Sequence, residues 1–452
     1  MLVRFSVENY LSFKDKTEFN MLTGNPRRLP HHVYKHGDLE LLKMAAIYGA
    51  NGAGKSNLIE ALTDFRNYVT SSNQLIISII SNKKKFKLDA LKRNQPISFE
   101  IEFITEGKMF FYALSIDEAI IKNEKLLLVQ TNGKDELVFE RSNVNNKIQI
   151  DFNPKYKETE QDRLRIKLYE EELLKDYETL LLKLSEAREG FSIVKEAINW
   201  FSLIASIKPN FSISNLIFVN DSIHDFIKDY IQKFNTGVND FAIITNTFDE
   251  YFGENHQDIK ERLKAELKAK PIFDLSKLYG GNENPKSKTI ATVENNQYVI
   301  KRLITYHLDG EGNKIVFEPS EESDGSIRLW DILAAIHFVM TQPRIVLIDE
   351  IERSIHPYLL KQLLTKLSEN KEIKGQLVFT THESNLLDQE IFRQDEIWFA
   401  EKNTEGATQL YPMSDFDIRY DLDIRKGYLN GRFGAIPFLG DFKDLNWKAD
   451  AE

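Results

Sequence analysis

The chain has 452 residues, 42% hydrophobic and 28% charged, ordinary proportions for a globular protein with room for two or three packed lobes. It has no cysteine, which excludes disulfides and thiolate metal sites and fits a reducing cytoplasm; no apolar run approaches the roughly 18 residues of a membrane-spanning helix. A net charge of −10 argues against non-specific coating of nucleic acid by the whole surface and leaves room only for a local basic site.

The opening MLVRFSVENYLSF alternates Val3, Phe5 and Val7 against Arg4 and Ser6, the pattern of a half-buried strand and not of a signal peptide. AAIYGANGAGKSNLIEAL then sets Gly49, Gly54, Lys55 and Ser56 at the spacing G-x-x-x-x-G-K-[ST]. An apolar strand precedes it and a helix carrying Leu58, Ile59 and Leu62 follows, which is the context a phosphate-binding loop requires. Asn51, Gly52, Ala53, Gly54, Lys55, Ser56 and Asn57 are therefore the candidate nucleotide-binding residues. Glycines let backbone N–H groups curl around a phosphate at the helix N-terminus. Lys55 would reach the β- and γ-phosphates of ATP, and the Ser56 hydroxyl would hold Mg2+.

Further on, NKKKFKLDALKR (82–93) gathers six basic residues around Phe86, readable as a nucleic-acid contact or as a solvated strand edge. SFEIEFI (98–104), MFFYALSI (109–116) and ELVFERS (136–142) alternate, with TEGK and TNGKD as turn signals, and predict an antiparallel meander. Between about 155 and 205, Leu164, Leu168, Leu174, Tyr177, Leu181 and Leu184 recur at helical spacing amid charge. SIHDFIKDYIQKF and HQDIKERLKAELKAKPIFDL continue the helical character, and LYGGNENPKSKT (278–289) marks a loop or boundary. These shifts divide the chain into an expected first lobe (1–150), a helical insertion (151–298) and a second lobe (299–452).

In EPSEESDGSIRLWDIL (318–333) a small polar turn precedes Leu329, Ile332, Leu333, Ile336 and Val339, which lie on one face of a helix expected to begin near Ser326. Ser323, Asp324 and Gly325 then sit at its N-terminus. Taken alone this is an ordinary capped helix start. Because Lys55 already serves the phosphates, a second phosphate-binding helix end makes sense if it closes over the nucleotide of another subunit. RIVLIDEIERSIHP (344–357) predicts a buried parallel strand that delivers Asp349 and Glu350 to its carboxyl end, the Walker B arrangement. Asp349 would hold Mg2+ through water and Glu350 would polarise the attacking water. GQLVFTTHESNLLD (375–388) predicts a second buried strand ending in Thr380, Thr381 and His382. A lone histidine is more often structural, but α/β sheets gather ligand contacts at such strand ends, which makes His382 a candidate γ-phosphate contact. The tail RYDLDIRKGYLNGRFGAIPFLG, aromatic and glycine-rich, reads as packing against the core or as a docking surface.

The order of these motifs, a phosphate loop, a long insertion, ESDGS, Walker B and THES, resembles an ABC-type ATPase head, in particular the prokaryotic AAA-type ATP-binding proteins related to OLD, RecF and SMC. FSVENYLSFKDKTEFNM, IERSIHPYLL, RQDEIWFAEK and YLNGRFGAIPFLGDF share that resemblance, which covers about 1–140 and 300–440. It implies an α/β ABC-ATPase head with an antiparallel β-meander subdomain and a helical insertion. It also implies an ATP sandwich dimer in which Ser323 and Gly325 contact the γ-phosphate in trans and Ser354 to Pro357 form the D-loop. The transporter signature LSGGQ is absent, and the Q-loop glutamine has only Gln95 as a weak candidate.

The expected function is a cytoplasmic ATPase switch, a dimer or higher homo-oligomer, that controls a separate effector such as a nuclease or toxin, in phage defence by analogy with such relatives. A RecF- or SMC-like clamp on duplex DNA and a scaffold that holds ATP without turnover are the rivals. No nuclease is expected in the chain itself: 70 residues follow His382, and Asp415, Asp417, Asp421 and Asp423 lack a glutamate-bearing Toprim strand before them.

Overall fold

In the computed structural model, which describes residues 1–436 other than 25–27, 72–82, 131–132, 146, 158, 209–216, 219, 235, 255, 270–271 and 276–287, the first alternating run forms β1 (Leu2–Glu8). It pairs antiparallel with β2 (Thr17–Asn20) on one side and β6 (Ile97–Thr105) on the other. From β6 the predicted meander continues through β7 (Lys108–Asp117), β8 (Ile120–Val129), β9 (Glu136–Val144) and β10 (Lys147–Phe152), giving the sheet order β10-β9-β8-β7-β6-β1-β2. The TEGK turn works because Glu106 (φ +47) and Gly107 (φ +72) both take left-handed backbone between the paired Thr105 and Lys108, the two-residue hairpin whose twist matches the strands. A short hairpin of β3 (Val33–His36) and β4 (Leu39–Leu42) stands apart from this sheet.

The second sheet runs β11 (Ile204–Ile207), β17 (Ile345–Ile348), β18 (Gln376–Thr380), β5 (Met44–Tyr48), β19 (Ile397–Lys402), β20 (Thr408–Pro412). β17, β18, β5 and β19 are parallel, and the wholly buried β5, β17 and β18 read as continuous apolar runs for that reason. The helix after β5, α1 (Lys55–Val69), buries Leu58, Ile59, Leu62 and Phe65. Phe65 stacks on Phe99 of the meander at 5.0 Å between ring centroids and meets Phe201 edge-on at 5.8 Å, so one aromatic core joins α1, the meander and the helix Ser192–Phe201. Glu124 of β8, fully buried, accepts the N–H groups of Leu180 and Leu181 and the hydroxyl of Tyr112, with Arg141 3.6 Å away. Burial pushes the Glu124 carboxyl above its ordinary range, and Arg141 opposes that shift.

The chain divides into two units. The first comprises Met1–Ala205, Pro343–Glu350 and Ser368–Glu452; the second comprises Ser206–Gln342 and Ile351–Leu367. The second has its own antiparallel sheet, β12 (Asp240–Thr247), β15 (Gln297–Leu308), β14 (Thr289–Glu294) and β13 (Ile272–Asp274), with β16 (Lys314–Phe317) also on β15. Its helices include Asp221–Ile231, Gln257–Ala269 and Asp324–Thr341.

The stretch 151–298, read from sequence as helical, thus also supplies strands, β11 to β14; TIATVE of β14 is rich in β-branched residues and turns into β15 through Asn295 (φ +46) and Asn296 (φ +61). The helical face expected between 155 and 205 is also broken up. Glu160–Leu168 ends in a π-turn at Tyr169–Leu173, and a new helix starts at Leu180. Leu181 and Leu184 are buried as expected, whereas Leu164 is 60% exposed and Ile166 turns inward in its place. The capping box of Thr159 and Asp162 fixes the rotation of that first short helix. The boundary loop proposed at 278–289 lies almost wholly outside the described residues.

Candidate functional site

β5, β17 and β18 end level with one another. Ile348 pairs with Phe379, Phe379 with Ala46, and Thr380 with Ile47. Their carboxyl ends therefore deliver the loop 49–54, the pair Asp349–Glu350 and the segment Thr381–His382 to a single sheet edge, where open parallel sheets bind ligands.

The loop is built around two close approaches. A Cβ on Gly49 would run into the Ala400 carbonyl of β19, and one on Gly54 would run into Thr408 Oγ1 and lie 2.7 Å from Ser12 Oγ. Gly54 also sits at φ +104 as the N-cap of α1, without a side-chain cap for the helix N–H groups. Those N–H groups and the helix dipole suit an anion. Asn51, Gly52 and Ser56 are exposed; Ala53 and Lys55 are buried. Lys55 Nζ donates to Gly49 O (2.7 Å) and Ala50 O (3.1 Å), so the ammonium lies across the loop it follows.

The Asn57 side chain has a partner within the protein. Its amide donates to Ser12 Oγ at 2.7 Å, Ser12 lies 2.7 Å from Thr408 Oγ1, and Thr408 Oγ1 lies 2.8 Å from Ala53 O. A carbonyl only accepts, so the Thr408 proton goes to Ala53 and the Ser12 proton to Thr408. This relay grips the loop from behind. Sequence reading did not single out Ser12 or Thr408; no local motif marks them, and residue 408 is far along the chain.

Asp349 is 7% exposed and Glu350 half-buried. Thr380 Oγ1 donates to Asp349 Oδ1 at 2.6 Å and accepts the Glu350 N–H at 2.9 Å. Glu350 adopts φ +49 and Ser354 φ +61, two left-handed non-glycine residues within one short turn. Ser56 and Asp349 offer a hydroxyl and a carboxylate, hard oxygen donors of the kind Mg2+ takes while keeping waters and nucleotide phosphate oxygens. Thr381 N–H donates to Ile47 O at 2.9 Å, which ties the segment before His382 to β5, and His382 itself is exposed.

Ser323 and Gly325 belong to the second unit. The helix starts at Asp324, two residues before the expected Ser326, because Ser323 caps it: Ser323 Oγ accepts the Ser326 N–H at 3.0 Å. A Cβ on Gly325 would lie 2.6 Å from Ser354 O, so the helix start and the Ser354 turn touch through backbone. Gln95 is exposed and contributes its carbonyl to Asn9.

Three of the six basic residues of the run are ion-paired, while Lys83 and Lys87 are exposed. Lys84 pairs with Glu60 and Asp64, Lys85 with Asp117, Lys92 with Glu8 and Asp15, and Arg93 donates to Lys87 O. The tail packs inward as far as it is described: Tyr428 and Phe433 each stack on Phe399 at 5.8 Å. Among the described residues no group of three or more His, Asp or Glu side chains is arranged to hold a metal, and no helix is long and apolar enough to cross a membrane.

The profile of the family described as "AAA domain, putative AbiEii toxin, Type IV TA system" matches residues 44–388, well over half of the chain. Solved structures that align with it include the SMC head domain from Thermotoga maritima, at 13% identity over 91% of this chain and 98% of that one, with a TM-score of 0.34. Another is the SmcHead bound to the C-winged helix domain of ScpA, at 12% identity over 91% and 97%, with a TM-score of 0.38. No curated protein matches the chain.

Proposed function

Since the chain belongs to this AAA-domain family, we propose that it is an ATP-binding and ATP-hydrolysing switch, working as a dimer or higher homo-oligomer in the cytoplasm and controlling a separate effector in antiphage defence. The observation that carries the reading is the level ending of β5, β17 and β18, which sets Lys55, Asp349, Glu350 and His382 along one sheet edge. In this reading Asn51 to Asn57 cradle the phosphates, and Lys55 leaves the Gly49 and Ala50 carbonyls to neutralise them. Ser56 and Asp349 hold Mg2+, which when bound offsets the charge that develops on the phosphate oxygens. Glu350 takes a proton from water, and His382 donates toward the γ-phosphate. Ser323 and Gly325 of one subunit complete the site of the other, and the Ser354 to Pro357 turn lies beside them as the D-loop. The family description as a toxin of a toxin–antitoxin system supports an output of destructive kind. The pairing of Lys84, Lys85 and Lys92 with carboxylates lowers the free positive charge that the DNA-clamp rival would use at this run.

Glu350→Gln tests the proposal, because the amide keeps the shape of the carboxyl and loses the base. ATP binding measured by calorimetry should persist, phosphate release should stop, and light scattering should show ATP-trapped dimers. Turnover at the wild-type rate would remove Glu350 from the role.

A further inference from the structure

The geometry points to Thr380 as a positioning residue for both carboxylates of the site. This rests on the reading of Asp349 and Glu350 given above. Thr380 is the last residue of β18 and fully buried. Its hydroxyl makes two bonds in opposite senses: it accepts the Glu350 N–H at 2.9 Å and lies 2.6 Å from Asp349 Oδ1. A backbone N–H can only donate, so the hydroxyl proton is directed at the Asp349 carboxylate. One side chain thereby sets the rotation of the metal-holding carboxylate and the backbone direction of the adjacent base.

The direction matters because Glu350 is at φ +49, a backbone that a residue with a Cβ holds only when its surroundings enforce it. Thr380 is also well placed to transmit position. It pairs with Ile47 of β5, one residue before Tyr48 and the loop, while its neighbour Phe379 pairs with Ile348 of β17. The hydroxyl thus refers Asp349 and Glu350 to the strand that carries the phosphate-binding loop. Groups that orient a metal-holding carboxylate from behind typically change metal affinity or activity by about 10- to 100-fold when removed.

The test uses the full chain with Thr380→Val, which keeps the volume and removes both bonds, and Thr380→Ser, which restores the hydroxyl. Mn2+ affinity in the presence of ADP, read by electron paramagnetic resonance, should fall about 10- to 100-fold in Thr380→Val, as should kcat. Nucleotide affinity without metal should stay within about threefold, since the Lys55 loop is untouched, and Thr380→Ser should recover most of both losses. Unchanged Mn2+ affinity and kcat in a folded Thr380→Val protein would overturn the inference, as would equal defects in Thr380→Ser. If Thr380→Val does not fold, Thr380→Ala is measured in its place against the same criteria. Lys55→Ala and Glu350→Gln run alongside separate the two ideas. Loss of their expected phenotypes defeats the functional reading, whereas their presence with an indifferent Thr380 defeats only this inference.

Discussion

Gly54→Ala should be far more damaging than one methyl group suggests. Gly54 holds φ +104, which costs an L-residue about 1–2 kcal/mol. The new Cβ would also run into Thr408 Oγ1 and crowd Ser12 Oγ. Moving Thr408 aside breaks its bond to Ala53 O, worth about 1 kcal/mol, and loosens the Asn57–Ser12–Thr408 relay. Together these predict roughly 2–4 kcal/mol of destabilisation, or a thermal midpoint lowered by roughly 3–6 °C for a unit of this size. Circular dichroism melting reads the stability, and a calorimetric ATP titration should show weaker binding. The decisive comparison is a double-mutant cycle with Thr408→Ala, which removes the colliding oxygen but not the backbone strain. The double variant should be about 1 kcal/mol or more better than the sum of the singles. Simple additivity, or a Gly54→Ala midpoint indistinguishable from that of the unsubstituted protein, would refute the reasoning.

Lys55→Ala should abolish ATP binding in a calorimetric titration, because it removes the cation placed against the loop; unchanged affinity would sink the phosphate-loop assignment. Ser323→Arg should leave nucleotide binding by a single subunit intact and block turnover. Mixed with Lys55→Ala, it should regain partial ATPase, since one composite site then carries both defects and the other neither. Absence of recovery in mixed dimers shown to form would count against a shared site. Glu124→Leu should cost roughly 3–5 kcal/mol in denaturant unfolding, because Arg141 is left buried without its carboxylate. Adding Arg141→Met should recover part of that loss, and no recovery would mean that the three hydrogen-bonded groups around Glu124, not its charge, set the cost.

Much of this protein is legible in its residue order because the relevant physics is local. The spacing from Gly49 to Ser56, the apolar runs at Ile345–Ile348 and Gln376–Thr380 and the alternation of the meander each depend on neighbours a few residues apart. The break-up of the 155–205 helices is less legible, since capping at Thr159 overrides the leucine periodicity, and the β14–β15 hairpin depends on the turn at Asn295 and Asn296. What only the tertiary structure decided are the partners brought from afar. Lys84, Lys85 and Lys92 meet carboxylates contributed by α1, β7 and β1, which turns half of an apparent basic patch into internal ion pairs. Thr408 reaches the loop at Ala53 from 355 positions away, and Thr380 reaches Asp349 from 31. No periodicity encodes such meetings, because a hydroxyl's direction is set by which strands lie side by side. Sheet order is decided by the packing of the whole unit.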